Sequence, residues 1–201
     1  MARRLLIWGA LALVVLVPLG LAAGSPLLAW REPVYIVAGF AGVLGMVLLL
    51  VQPLLAGGLL PGLEGLRGRR AHGFVGLGLV VAVVVHVAGL WVTSPPDVVD
   101  ALLLRSPTPF SVWGVIAMWA IFTAAVLALG RQKLGLRPRV WRFGHTGLAL
   151  VVVAGSVVHA LLIDGTMESM SKIALSALAL LATLKVVGGL WMFLLRRRER
   201  A

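Results

Sequence analysis

Cysteine is absent from the 201-residue chain. Without thiols the protein can form no disulfide, and it cannot offer thiolate ligands to haem or to an iron–sulfur cluster. Charged residues are also scarce, since they make up 12% of the chain and only seven of them are acidic. Such a composition excludes an ordinary soluble domain, in which about a quarter of the residues are charged.

Long apolar runs take the place of the missing charges. Hydrophobic residues make up 61% of the chain, and its mean hydropathy is +1.06. Because about 20 apolar residues span a bilayer as a helix, we predict an all-α polytopic membrane protein, a single domain over residues 1–201. Its six-transmembrane-helix bundle has spans at about 5–23, 34–56, 72–93, 111–130, 143–163 and 171–195. The first run could be a cleaved signal peptide, but its length favours a retained helix.

The net charge of +11 comes from basic residues in the predicted loops. Fourteen Lys and Arg lie at the two termini and in the 2–3 and 4–5 loops, against three in the other loops. This asymmetry predicts a multi-pass protein of the inner (plasma) membrane with both termini in the cytoplasm. Lipid is the expected partner, and nucleic acid is not, because no basic face occurs outside the loops.

All four histidines lie in the third and fifth predicted spans. His72 and His86 are fourteen residues apart, as are His145 and His159. The two histidines of a span therefore share a helix face, about 40° apart in rotation and about 21 Å apart along the axis. Since both spans run outward from the cytoplasm, we predict an inner pair (His72 and His145) and an outer pair (His86 and His159).

Paired imidazoles at matched depth are suited to haem. Two axial histidines leave the iron without an open position, which favours electron transfer over oxygen chemistry. We therefore predict two haem sites between the third and fifth helices. Small residues one turn inward from the ligands make room for a flat macrocycle, although they also serve helix packing in membranes; they are Gly76, Ala149, Ala82 and Gly155.

Other interpretations of the histidines stay open. They can be interior side chains that form helix–helix hydrogen bonds, or a proton relay in a transporter or channel. The protein can also be a passive haem-containing membrane anchor for an enzyme subunit. A zinc or iron site using all four histidines is disfavoured, because the axial separation is about 21 Å and no carboxylate accompanies either pair.

Residues 34–195 resemble the ferric reductase-like transmembrane domain. That domain is shared by ferric reductases, NADPH oxidases and the haem-binding membrane subunit of the bacterial periplasmic methionine sulfoxide reductase system. The resemblance rests on the paired histidines of the third and fifth spans and on four segments, Arg69-Arg70-Ala71-His72-Gly73, Lys133-Leu134-Gly135, Trp141-Arg142-Phe143-Gly144-His145 and His159-Ala160-Leu161. It implies an oxidoreductase component that binds two b-type haems, with His72, His86, His145 and His159 as the axial ligands.

The resemblance also implies separate electron partners. Ferric reductases and NADPH oxidases continue into a cytosolic flavin and nicotinamide domain, whereas this sequence ends at Ala201 without a nucleotide-binding glycine motif. We expect a flavin reductase or a quinol as donor, with any flavin held by a partner or at the cytoplasmic edge. The outer-side acceptor could be ferric iron, oxygen or a periplasmic enzyme such as a molybdenum-dependent methionine sulfoxide reductase.

A few charged residues lie outside this scheme. Lys185 falls within the last span, where it is either a partner for a haem propionate, a quinone or a lipid phosphate, or a lysine facing a polar crevice or a shifted helix end. The inner arginines either set orientation, which is the more common role, or pair with haem propionates or an acidic or flavin-bearing partner; they are Arg67, Arg69, Arg70, Arg139 and Arg142. Asp164 and Glu168 are expected in a solvated outer turn, with attraction of a cationic or metal substrate as the alternative. A short interfacial helix is predicted at Val98–Leu104.

Overall fold

The computed structural model describes the backbone of residues 1–198 and the side chains of residues 1–192. Seven α-helices follow one another in these residues, without a strand. They are α1 (Ala2–Ala23), α2 (Pro33–Ala56), α3 (Gly65–Thr93), α4 (Pro95–Leu102), α5 (Pro109–Gly130), α6 (Pro138–Leu162) and α7 (Ser169–Arg198). The predicted all-α class is confirmed.

Six of the helices, all except α4, are long and apolar enough to cross a membrane. Their outward faces carry many large apolar side chains that no described residue covers, such as Leu13, Phe74 and Trp119. Such faces are consistent with contact to lipid, so the predicted multi-pass membrane protein is confirmed. The basic cluster predicted to end the last span, Arg196–Arg200, lies outside the residues whose side chains are described.

Four helices begin with proline at their first or second position, namely α2, α4, α5 and α6. Proline is favoured there because the first amides of a helix have no intrahelical acceptor, and its fixed φ already matches the helix. α7 begins differently, with the carboxylate of Glu168 accepting hydrogen bonds from the backbone N–H groups of Met170 and Ser171 at 2.7 and 2.8 Å.

The two histidine-bearing helices begin earlier than predicted. α3 begins at Gly65 rather than near residue 72, and α6 begins at Pro138 rather than near residue 143. The prediction stopped at the basic residues because they are not apolar, whereas a helix continues wherever its backbone hydrogen bonds continue. His72 and His145 therefore lie about two turns inside their helices, each seven residues after the first.

The short helix predicted at Val98–Leu104 is present as α4, but it begins and ends a little earlier. Pro95 and Pro96 open it, and the hydroxyl of Ser94 donates a hydrogen bond to the carboxylate of Asp97 in its first turn. Val98 is buried, which anchors the helix to the end of the bundle.

Two tight helical hairpins, α2–α3 and α5–α6, form the body of the bundle. α7 packs against α2 and α6, while α1 makes only limited contact with α2 and α7. The largest cluster of buried apolar side chains includes Leu50, Val153, Leu175 and Ala179. α3 and α6 do not pack closely on each other, and their histidine rings meet in two pairs.

Candidate histidine-pair sites

The structure brings together the two predicted histidine pairs, one from α3 and one from α6. The ring centroids of His72 and His145 are 6.1 Å apart, with the planes at 73°. Those of His86 and His159 are 6.4 Å apart, with the planes at 81°. No hydrogen bond joins the two rings of either pair, all four of which belong to the described residues. Iron ligation by these rings stays a prediction.

The separation within each pair fits two imidazoles bound to one metal ion. A bond from an imidazole nitrogen to a metal ion is about 2.0–2.1 Å long, and the ring centroid lies roughly 1.1 Å behind the nitrogen, so two rings on opposite sides of one ion should have centroids about 6.3 Å apart. Direct edge-to-face contact between aromatic rings covers the same range. A metal-ligand pair differs from a simple ring contact because each ring has one nitrogen without a hydrogen-bond partner. The hydrogen bonds of the four rings show which nitrogens have partners.

Both histidines of the outer pair are held by backbone carbonyls of the preceding helix. His86 Nδ1 donates to the carbonyl oxygen of Ala38 at 2.8 Å, and His159 Nδ1 donates to that of Phe110 at 2.9 Å. Since a carbonyl oxygen can only accept, the proton of each neutral ring must be on Nδ1. Nε2 is then free to bind a metal ion, which is the usual arrangement around metal-bound histidine.

Two glycines make room for the outer rings. A Cβ atom at Gly42 would lie 3.0 Å from His86 Nδ1, and one at Gly114 would lie 2.7 Å from His159 Nδ1. Each glycine comes four residues after the carbonyl that accepts from the same ring, so one turn of α2 and one turn of α5 form equivalent seats. Sequence reasoning missed both glycines. The signal was present, because Gly42 and Gly114 precede their histidines by nearly the same number of residues.

The inner pair is held less uniformly. His72 Nδ1 donates to the carbonyl oxygen of Gln52 at 3.2 Å, and the Gln52 side-chain amide donates to the carbonyl oxygen of His72 at 3.3 Å. His145 Nδ1 is buried and has no hydrogen-bond partner among the described residues. Its ring instead stacks on Trp141, with centroids 4.8 Å apart and planes at 20°. The guanidinium of Arg131 lies 5.4 Å from the Trp141 ring centroid.

The small residues predicted beside the ligands are explained in part by helix packing. A Cβ atom at Gly76 would lie 3.0 Å from Gln52 Nε2, and one at Gly155 would lie 3.1 Å from Ala117 Cβ on α5. Ala82 is buried, and Ala149 is partly exposed. Close approach of α2 to α3 and of α5 to α6 therefore accounts for both glycines. A role for the four residues beside a cofactor stays a prediction.

The charged residues singled out in the sequence, all of which the structure describes, form no hydrogen bond with the histidine rings. The five inner arginines are exposed. Arg139 and Arg142 line an open groove at the start of α6, and Lys185 is exposed on α7. Asp164 and Glu168 are exposed in the turn before α7. Hydrogen bonds from the backbone N–H groups of Met170 and Ser171 hold the pKa of Glu168 below its usual value. None of these charges forms part of a histidine pair.

Among the described residues, no group of three or more His, Asp or Glu side chains is placed to hold a metal ion. The arrangement is one of two separate imidazole pairs. Comparison of the chain with protein-family models, with curated proteins and with solved structures finds no match.

Proposed function

We propose that this chain relays single electrons across the plasma membrane by holding one b-type haem at each histidine pair. The observation that carries the proposal is the geometry of the pairs, with ring centroids 6.1 and 6.4 Å apart between helices that do not pack closely. Three of the four rings also have Nδ1 bound to a carbonyl, which leaves Nε2 for iron.

A haem supplies a one-electron iron couple, and the residues of this chain do the rest. The histidines would fix the axial ligation, and the carbonyls of Gln52, Ala38 and Phe110 keep three rings in the ligating tautomer. The apolar bundle excludes water and lowers the dielectric constant, which together with ligand basicity sets the redox potential. Bis-histidine ligation leaves no open position for oxygen.

Orientation follows from the loop charges. The basic majority at the termini and in the α2–α3 and α5–α6 loops supports an orientation with those regions in the cytoplasm. The inner pair would then receive electrons from a flavin reductase or a quinol, and the outer pair would pass them to ferric iron or a periplasmic reductase. This proposal makes the chain an oxidoreductase component similar to the ferric reductase-like transmembrane domain, an assignment supported by the sequence segments around His72, His145 and His159.

Electron transfer across a sealed vesicle tests the proposal. Protein loaded with haem is reconstituted into vesicles that contain ferricyanide, and a membrane-impermeant reductant is added outside. We expect the entrapped ferricyanide to be consumed, and both His86→Ala and His145→Ala to abolish its consumption, because each removes one of the two sites. Gly20→Ala in α1, where a Cβ would meet nothing within 4 Å, is the matched control.

Two results would count against the relay. Consumption no faster than in protein-free vesicles would show that the chain carries no electrons. Proton flux through haem-free protein that is lost in the same histidine variants would favour the alternative of a histidine proton relay.

A further inference from the structure

Among the residues whose side chains are described, one lysine or arginine is buried, and it lies beside the outer end of α6. Lys172, in the first turn of α7, is only 7% exposed. The hydrogen bond that its ammonium makes among the described residues runs to the carbonyl oxygen of Ile163, at 2.8 Å. Ile163 follows directly after α6, one turn beyond His159. A formal positive charge is therefore held within the protein close to the outer pair.

Lys172 lines an open cleft together with two carboxylates, Asp164 and Glu168, and its charge contributes to the lowered pKa of Glu168. Asp164 is exposed in the turn. Glu168 is exposed as well, and its carboxylate accepts from the backbone of Met170 and Ser171 at the start of α7. Since exposed charges are screened by water and salt, these acids offset a buried ammonium only weakly.

The turn that contains Ile163 also contacts the helix that seats His86. Thr166 is buried, and its hydroxyl lies 3.3 Å from the position of a Cβ at Gly39. Gly39 is the neighbour of Ala38, whose carbonyl accepts from His86. The segment that ends at Lys172 therefore contacts α2 next to the residue that binds His86. The inner pair lies about 21 Å further along α6.

A positive charge beside the outer pair would favour outward movement of electrons, because the hydrogen bonds of its rings act in the opposite direction. Carbonyl hydrogen bonds to both of its rings make the imidazoles more basic, which stabilises ferric iron and lowers the redox potential. The inner pair has only one such bond. A buried cation acts in the opposite direction, because it stabilises the state with one more electron.

We propose that the positive charge of Lys172 raises the redox potential of the outer site relative to that of the inner site. The inference rests on the proposed function. The inner arginines are exposed, so solvent screens them and they do not raise the inner potential to the same extent. Lys172 therefore favours the movement of an electron from the inner pair to the outer pair.

Optical redox titration of the haem-loaded, full-length protein tests this inference. His86→Ala, which keeps only the inner site, assigns the two potentials. Lys172→Gln removes the charge but keeps a donor for the Ile163 carbonyl, and Lys172→Arg keeps the charge. We expect Lys172→Gln to shift the distribution of one electron between the sites about tenfold toward the inner site, the effect of a unit charge over ~10 Å at an effective dielectric constant of ~20. For a one-electron couple, tenfold corresponds to 59 mV. Lys172→Arg should leave the distribution unchanged.

An unchanged outer potential in Lys172→Gln, or an equal shift of both potentials, would overturn the inference while leaving the electron relay intact. Failure of the wild-type protein to bind haem would instead overturn the proposed function. Should Lys172→Gln lose haem, Lys172→His decides the matter, because an imidazole is charged at low pH and neutral at high pH. The outer potential should fall relative to the inner one as the pH rises through about 6.5, and an unchanged difference between the two potentials would refute the electrostatic role.

Discussion

The outer and inner histidine pairs differ in how firmly the fold holds them. Both outer rings are bound by carbonyls at 2.8 and 2.9 Å and lie against glycines of the preceding helix. At the inner pair, His72 has a longer bond of 3.2 Å, and His145 has no partner for Nδ1 and stacks on Trp141. The outer site is therefore preorganised by two backbone carbonyls, and the inner site by one backbone carbonyl and one aromatic stack.

The two sites therefore share the same histidine spacing but differ in how rigidly their rings are held. A ring fixed by backbone atoms keeps its tautomer and orientation even when nearby side chains change. A ring held by stacking can rotate and adapt more easily, because aromatic stacking contributes only about 0.5–1.5 kcal/mol beyond the area it buries. We expect the outer site to retain haem more firmly and the inner site to be the more sensitive to substitution nearby.

Substitution of one histidine in either pair should have the largest effect, because it should remove the haem of that pair alone. His86→Ala should reduce the haem content from two per chain to one, because the outer pair loses an axial ligand while the inner pair is unchanged. His145→Ala should likewise remove only the inner haem. Haem quantitation of purified protein measures the effect, with Gly20→Ala as control. Equal loss of both haems from either variant would show that the sites are not independent.

Adding a methyl group to the seats of the outer rings should have the next largest effect. Gly114→Ala places a Cβ 2.7 Å from His159 Nδ1, so the ring must leave the Phe110 carbonyl. Overpacking of this kind costs about 1–3 kcal/mol, and we expect the outer haem to be lost while the inner one remains.

Gly42→Ala provides a graded comparison, because its Cβ would be 3.0 Å from His86 Nδ1. It should weaken the outer site less than Gly114→Ala does. If Gly114→Ala bound both haems as tightly as the wild-type protein, the glycine seats would have no role in ligation.

The stack on Trp141 should matter only to the inner pair. Trp141→Ala removes the ring that supports His145, and loss of one aromatic contact should speed dissociation of the inner haem by about 2- to 12-fold. Trp141→Phe keeps an aromatic face and should recover most of the difference. Haem transfer to apomyoglobin measures both rates, and a change at the outer site would contradict the assignment.

The smallest effect concerns the turn at the outer end. Hydrogen bonds from Met170 and Ser171 lower the pKa of Glu168 in the folded protein. Its contribution to the free energy of unfolding is therefore complete above the unfolded carboxyl pKa, about 4.3, and is lost as the pH falls through the lower folded value. Glu168→Gln should remove this part of the acid dependence. Thermal unfolding of the wild type and of Glu168→Gln, measured roughly between pH 3 and 6, shows this difference. The same pH profile in both proteins would contradict a stabilising role of the hydrogen bonds to Glu168.

Much of the fold follows from periodicity and hydrophobicity. The six spans and the short α4 were predictable because apolar length and proline position are local properties of the chain. The starts of α3 and α6 were not, since basic residues such as Arg70 and Arg142 end the apolar run without ending the helix. Hydropathy indicates which residues lie within the bilayer, whereas the ends of a helix depend on its backbone hydrogen bonds.

The histidine pairs were predictable in the same way, because fourteen residues is close to four helical turns and both helices run in one direction. The partners of the rings were not. Backbone carbonyls carry no sequence signature, so the roles of Ala38 and Phe110 emerge only from the approach of neighbouring helices. The lack of a partner for His145 Nδ1 is likewise a property of packing.

Electron paramagnetic resonance of the oxidised, purified protein tests the central claim most directly, combined with haem quantitation. Two haems per chain should give low-spin ferric signals, and these should be strongly anisotropic. The reason is that imidazole planes at 73° and 81° leave two iron orbitals nearly equal in energy. High-spin iron, or protein that stays colourless when produced with ample haem, would contradict the account.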